Sequence, residues 1–495
     1  MIDVVIKDNI IIVDTDDPVF GSLFKYKSTK GVYNVRTKKF EFKSVSSNIY
    51  DSCNKIGSGW RYRFKLGWGV FIINQYKDKI GVENISRIAK TLYSESYRTT
   101  EFPNLMDFQN QDVLHLLKYK YGLFSCYTSY GKTETISTLL KYLYESTNLK
   151  ILVLVPSKKC KEELVKRCKL DRFNIEVPSK DGKIDLIVTN GVSKSKSYTD
   201  PVLLEERKKY LSTFDCILAD EVEYVMSPGG YKVLDMCTNA KVRYGFSGTA
   251  DKIGGKMINF SEGLTNVVTN NADLIGYFGQ ALIFRLATHL NVNMIYIKTK
   301  CFNNLIFEDS DFSNEDNVYL NILTKTWTNE EVCKFITKII PYYPKLFIPV
   351  NNLANIINNW IDNYWVGKYR ILLISGAGYI YYDLDGNITI LNLSEACDVI
   401  NQGLVDVIPS TSSGYRALDL PGLTNILLIQ GKIGGVVLQS VGRVARGKVT
   451  NVVNLLPEVK VPIYSRGIWE RSKMIKEYYK YCNINSISKD ESEFI

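Results

Sequence analysis

Cys126-Tyr127-Thr128-Ser129-Tyr130-Gly131-Lys132-Thr133 decides how the chain is read. The apolar run Tyr121-Gly-Leu-Phe-Ser125 precedes it, and a helical stretch from Glu134 to Tyr144 follows. The pattern G-x-x-x-x-G-K-[ST] forms a nest of backbone N–H groups around phosphates. Gly131 allows a turn that a side chain would block. Lys132 is the residue type that reaches β- and γ-phosphates as a point charge, and the Thr133 hydroxyl is a Mg²⁺ ligand. Strand, loop and helix in that order are the context this pattern requires. Cys126 stands where the first glycine usually does, so the match is one residue short.

The 495 residues allow roughly two to four domains at ~150 residues each. A hydrophobic content of 45% is enough for large cores. The net charge of +10 is compatible with a polyanionic partner. Ten cysteines without a C-x-x-C pair, and only His115 and His289, argue against a zinc site. The cysteines read as reduced thiols. No apolar run reaches ~18 residues, so no membrane helix is expected. The N-terminus lacks the basic and apolar regions of a signal peptide, so a cytoplasmic location is expected.

The fold class is α/β. Residues 1–100 carry alternating strands at Ile2–Val13, Val32–Phe42 and Trp60–Asn74, and a helix near Val82–Tyr97, which predicts a small β-rich domain. In the strand around Trp60, period two puts Trp60, Tyr62 and Phe64 on one face, and Arg61, Arg63 and Lys65 on the other. The aromatic face is expected to be core. The basic face is either solvated or a nucleic-acid contact. Residues 101–290 alternate apolar runs (Gly122–Ser125, Ile151–Val155, Ile184–Val188, Cys216–Ala219 and Val242–Phe246) with helices, as a buried parallel sheet does. Residues 291–464 contain a linker and a second block of the same design. Residues 465–495 read as a helix and a polar, acidic tail.

Asp220-Glu221 follows the apolar run Cys216–Ala219. A carboxylate pair at the end of a buried strand suits Mg-ATP hydrolysis, Asp220 holding the metal and Glu221 polarising water. Ser247 and Thr249 end the next strand and are candidates for coupling that site to the second block. In the second block, Gln439, Arg443 and Arg446 fall at i, i+4 and i+7 of a helix and so share one face. Arginine forks on a second lobe are the residue type that neutralises a transferring phosphoryl group.

In this order the motifs resemble those of superfamily 2 helicases and translocases, over about residues 105–455. The resemblance implies two tandem RecA-like lobes, with ATP and Mg²⁺ as cofactors. It implies that Gln109 reads adenine, and that Ser129 and Asp419 join Gly131, Lys132 and Thr133 around the nucleotide. It places nucleic-acid contacts at Pro156-Ser157, Thr189-Asn190 and Thr411-Ser412. Glu223 stands where that family usually has His or Asp at a coupling position. The small N-terminal domain and the phosphate loop are further similar to the phage UvsW-type branch-migration helicases. That kinship implies a DNA motor acting on forks, D-loops or Holliday junctions; a monomer is expected. An RNA-stimulated enzyme and a non-hydrolysing nucleic-acid-binding shell are the alternatives.

Overall fold

The computed structural model of the chain describes residues 2–18, 20–23, 25–34, 39–48, 50–69, 72–73, 81–94, 102–127, 130–156, 158–168, 184–189, 191–248, 272–279, 281–285, 287–288, 290–312, 318–350, 354–411, 422–429, 435–445 and 449–494. It divides into two units. The first comprises Met1–Gly31, Phe42–Cys126 and Gly131–Arg285, and the second Val32–Glu41, Tyr127–Tyr130 and Leu286–Ile495.

Asp8 and Asn9 both have positive φ, 51° and 63°, and close a two-residue turn between β1 (Ile2–Lys7) and β2 (Ile10–Thr15). Turns of this type match the twist of the strands they join. The run read as one strand over Ile2–Val13 is therefore a hairpin. A ribbon of β3 (Lys25–Asn34) and β4 (Lys39–Asn48) follows. Then β5 (Ser52–Ile56) and β6 (Gly59–Lys65) complete an antiparallel sheet of order β1-β2-β6-β5. Tyr62 and Phe64 are buried and Trp60 packs beside them, so the aromatic face is core.

That small core is shared with the rest of the first unit. Tyr121 and Ile275 belong to the same cluster as Val4, Phe64 and Trp68. The Lys120 N–H donates to the Leu92 carbonyl at 2.7 Å. A Cβ on Gly67 would lie 2.0 Å from the Ile275 carbonyl oxygen, so only glycine permits this approach to the helix Ala272–Phe278.

Beyond it lies a six-stranded, all-parallel sheet: β7 (Tyr121–Cys126), β8 (Ile151–Val155), β9 (Ile184–Val188), β10 (Cys216–Ala219), β11 (Val242–Ser247) and β12 (Ala281–Arg285). The order is β12-β7-β11-β10-β8-β9. Residues buried on both faces explain the near-continuous apolar runs. Sequence patterning locates the first five of these strands; β12 is not singled out.

The second unit has a nine-stranded sheet. Its strands are β13 (Asn291–Thr299), β14 (Leu346–Val350), β15 (Ile371–Ser375), β16 (Gly378–Tyr382), β17 (Ile388–Leu391), β18 (Val407–Thr411), β19 (Asn425–Leu427), β20 (Val449–Pro457) and β21 (Asn483–Asp490). The order is β17-β16-β15-β18-β14-β19-β20-β13-β21, with the β15–β16 and β16–β17 pairs antiparallel and the remaining pairs parallel. The α/β class with two RecA-like parallel-sheet lobes and a small β-rich N-terminal domain is thus present.

The segment read as a polar tail differs from expectation. After the helix Tyr464–Tyr478 it forms β21, an edge strand in register along β13. An amide ladder ties it in. Asn485 donates to Asn293 at 3.2 Å, Asn293 to Asn451 at 3.0 Å, Asn451 to Asn425 at 2.8 Å, and Asn425 to the Pro344 carbonyl at 2.7 Å. Among the described residues no helix is long and apolar enough to cross a membrane.

Candidate nucleotide site

The buried strand β7 delivers the chain into the loop, and the helix Lys132–Ser146 leaves it. Gly131 sits at the turn with φ 92°, a left-handed conformation that L side chains avoid. A Cβ there would also meet Gln109 Nε2 at 2.6 Å. Gln109 is buried, and its Oε1 accepts the Met106 N–H at 3.0 Å. The structure therefore brings Gln109 against the loop. Thr133 is the second residue of the helix and is half-buried.

The carboxylates reach the same place from β10. In the sheet order β11 lies between β7 and β10, and parallel register aligns their C-terminal ends. The Asp220 N–H donates to the Leu154 carbonyl at 3.0 Å. Glu221 adopts φ 47°, an uncommon conformation for a non-glycine residue, which costs about 1–2 kcal/mol. Its N–H donates to Asp220 Oδ1 at 2.9 Å. Lys132 Nζ lies 3.0 Å from Asp220 Oδ1 and 2.5 Å from Glu221 Oε1. Burial, with the Glu221 charge beside it, holds Asp220 above the usual carboxylate range, against the opposing pull of Lys132. Burial likewise pushes the Cys126 thiol far up, so it is a neutral wall rather than a nucleophile.

Ser247 is fully buried at the end of β11, opposite Ser125 of β7. One or two carboxylates plus a hydroxyl is the donor set that holds Mg²⁺ together with nucleotide phosphates, and Thr133, Asp220 and Glu221 fit it.

Other expected positions are less exposed than their motifs suggest. Pro156 is buried at the end of β8. Thr189 is 1% exposed, and its hydroxyl donates to the Val155 carbonyl at 3.4 Å. Thr411 ends β18 and is half-buried. On the N-terminal sheet Arg61 is forked onto Asp14 at 2.7 and 2.6 Å. Lys65 pairs with Asp51 at 2.7 Å and lies 4.7 Å from the centre of the Tyr277 ring. Arg63 is exposed. Gln439 and Arg443 fall four positions apart on the helix Gly435–Val444, and Glu223 on the short helix Val222–Val225. Their side chains lie outside the described residues, as do Ser129, Ser157, Asn190, Thr249, Ser412, Asp419 and Arg446 entirely.

No family model matches the chain, and no curated protein matches it in sequence. Among solved structures it is similar to the crystal structure of bacteriophage T4 UvsW, at 16% identity over 99% of each chain and a TM-score of 0.37. It is also similar to S. cerevisiae Dbp5 bound to RNA and ADP BeF3, at 13% identity over 78% of this chain and 90% of that one, TM-score 0.47. A third is the ATP-dependent Type ISP restriction-modification enzyme LlaBIII bound to DNA, at 13% identity over 78% and 32%, TM-score 0.45. UvsW is the type that the sequence resembles. At such identities these are likenesses of fold, and the chemistry of the site stands on its own residues.

Proposed function

We propose that the chain is an ATP-dependent helicase or translocase of superfamily 2 that acts on branched DNA. The observation that carries this reading is the convergence of Lys132, Asp220 and Glu221 beside the left-handed Gly131. The resemblance of the phosphate loop and the N-terminal domain to UvsW-type helicases supports branched DNA as the substrate class.

Bound ATP with Mg²⁺ supplies the phosphoryl group and the metal charge. Lys132 exchanges its carboxylate partners for phosphate oxygens. That exchange frees Asp220 to hold the metal beside the Thr133 hydroxyl, and frees Glu221 to take a proton from water. Glu221 is masked by Lys132 until phosphate draws the lysine away, so the base is gated by substrate. Gln109, Ser129 and Asp419 position the nucleotide. Gln439, Arg443 and Arg446 neutralise charge on the transferring group. Glu223, Ser247 and Thr249 couple hydrolysis to movement.

Nucleic acid is held at Pro156-Ser157, Thr189-Asn190 and Thr411-Ser412. The buried Pro156 and Thr189 side chains favour backbone groups as the contacts there, and such contacts to phosphate are independent of sequence. Residues 1–100 add junction preference through Arg63, since Arg61 and Lys65 already have carboxylate partners.

Phosphate release is the test, with no polymer, single-stranded DNA, a four-way DNA junction and structured RNA. Stronger stimulation by the junction than by single strands supports the reading. Stimulation by RNA alone moves the enzyme to RNA, and no turnover with any polymer refutes the motor.

A further inference from the structure

The edge strand β9 is flanked by the helices Lys158–Cys168 and Pro201–Leu211, and a cavity of about 770 Å³ opens beside it. In the sheet β9 is four positions from β7, ~19 Å at ~4.8 Å per strand. A phosphate held on the Lys132 loop does not reach it.

Among the described residues three cations line the cavity, Lys158, Lys161 and Arg207, against one carboxylate, Asp185. The wall itself partly satisfies Asp185, which is buried and accepts the Tyr210 hydroxyl at 2.9 Å. Lys161 Nζ donates to the Leu186 carbonyl at 3.0 Å. Arg207 is fixed on both sides. Its Nε donates to the Tyr198 hydroxyl at 2.9 Å, and its guanidinium lies 5.5 Å from the Tyr198 ring centre and 5.1 Å from that of Tyr210. Its two terminal nitrogens have no hydrogen-bond partner among the described residues. Ser195 and Ser197, whose hydroxyls are 3.0 Å apart, line the same space.

A planar guanidinium fork held by ring contacts is pre-organised for a bidentate anion, and phosphate is the anion whose geometry it matches. We propose that this cavity is a second phosphate-binding site, in which Arg207 is the fork and Lys158 and the two serine hydroxyls complete the contacts. Its volume is that of a small-molecule site rather than of one bare phosphate, so the phosphate carries a larger group. Two sources share this chemistry: a small phosphorylated compound and the phosphodiester of a nucleic-acid strand. The proposal does not depend on the function assigned to the Lys132 site.

The test uses the full chain with the Lys132 loop saturated by Mg²⁺ and a non-hydrolysable ATP analogue. Pyrophosphate is titrated by calorimetry into wild type, Arg207→Gln and Lys158→Gln. Binding by wild type that weakens about tenfold in each variant supports the site, that factor being what a lost charge-assisted hydrogen bond carries. Lys158 is exposed, so its variant keeps the fold if Arg207→Gln does not. Basal ATP hydrolysis is expected to be unchanged in both.

A second arm measures binding of a single-stranded DNA oligonucleotide against salt. A slope of log K against log[salt] that falls by ~0.7 in Arg207→Gln identifies the strand as the source. An unchanged slope with lost pyrophosphate binding identifies a small compound. No pyrophosphate binding by wild type together with an unchanged slope overturns the proposal.

Discussion

Replacing Lys132 with alanine removes the cation of the phosphate loop, and here it should also destabilise the folded protein. Lys132 Nζ sits 3.0 Å from Asp220 and 2.5 Å from Glu221, and all three side chains are only 13–14% exposed. Removing the cation leaves two neighbouring carboxylates in a low-dielectric site. Breaking a buried pair from one side costs about 3–5 kcal/mol. Residual solvent and protonation of Asp220, already held high by burial, lower that to about 2–3 kcal/mol. In a unit of this size, that is a drop of roughly 4–12 °C in the melting transition. The assay is thermal unfolding of wild type, Lys132→Ala, Glu221→Gln and Lys132→Ala/Glu221→Gln, without nucleotide. Glu221→Gln in the alanine background should recover half or more of the loss, a coupling that a double-mutant cycle isolates. If Lys132→Ala melts with wild type, or the second substitution recovers nothing, the ion-pair account of the site is wrong.

Three further outcomes follow from the same geometry. Gly67→Ala drives a methyl into the Ile275 carbonyl at 2.0 Å and should destabilise the first unit by about 1–3 kcal/mol, read as a lower melting transition. Asn451→Ala severs the amide ladder and leaves the buried Asn425 oxygen without its donor, at a cost of about 1–3 kcal/mol; denaturation that matches wild type would contradict the ladder. Metal binding needs ionised Asp220, whose folded-state pKa is raised, so the Mg²⁺ required for half-maximal turnover should climb as pH falls through that raised value. The climb should begin above 3.8, the ordinary value of an aspartate carboxyl, and Asp220→Asn should abolish it.

Fold class was legible because strands buried on both faces need apolar runs. Cys216–Ala219 and Ile151–Val155 are examples, and each lies where the pattern puts it. The amide-laced β21 was not legible, because its stability comes from backbone pairing and asparagine side chains rather than from apolar alternation. The Lys132–Asp220–Glu221 cluster was foreseeable from motif order; its mutual ion pairing was not, since that depends on strand register. Period two correctly split β6 into aromatic and basic faces. It did not reveal that Asp14 and Asp51 neutralise two of the three cations, because those carboxylates come from distant positions in the chain. Arg207 escaped notice for a different reason: its two tyrosine supports are near in the chain, but their rings meet its guanidinium only once the helix and the turn before it have folded.

The most direct measurement is steady-state phosphate release by wild type and Glu221→Gln, with and without a four-way DNA junction. The account expects polymer-stimulated release by wild type, and a loss of 10²-fold or more in Glu221→Gln with nucleotide binding retained, the scale of a removed general base. A Glu221→Gln enzyme that hydrolyses ATP at the wild-type rate would contradict it.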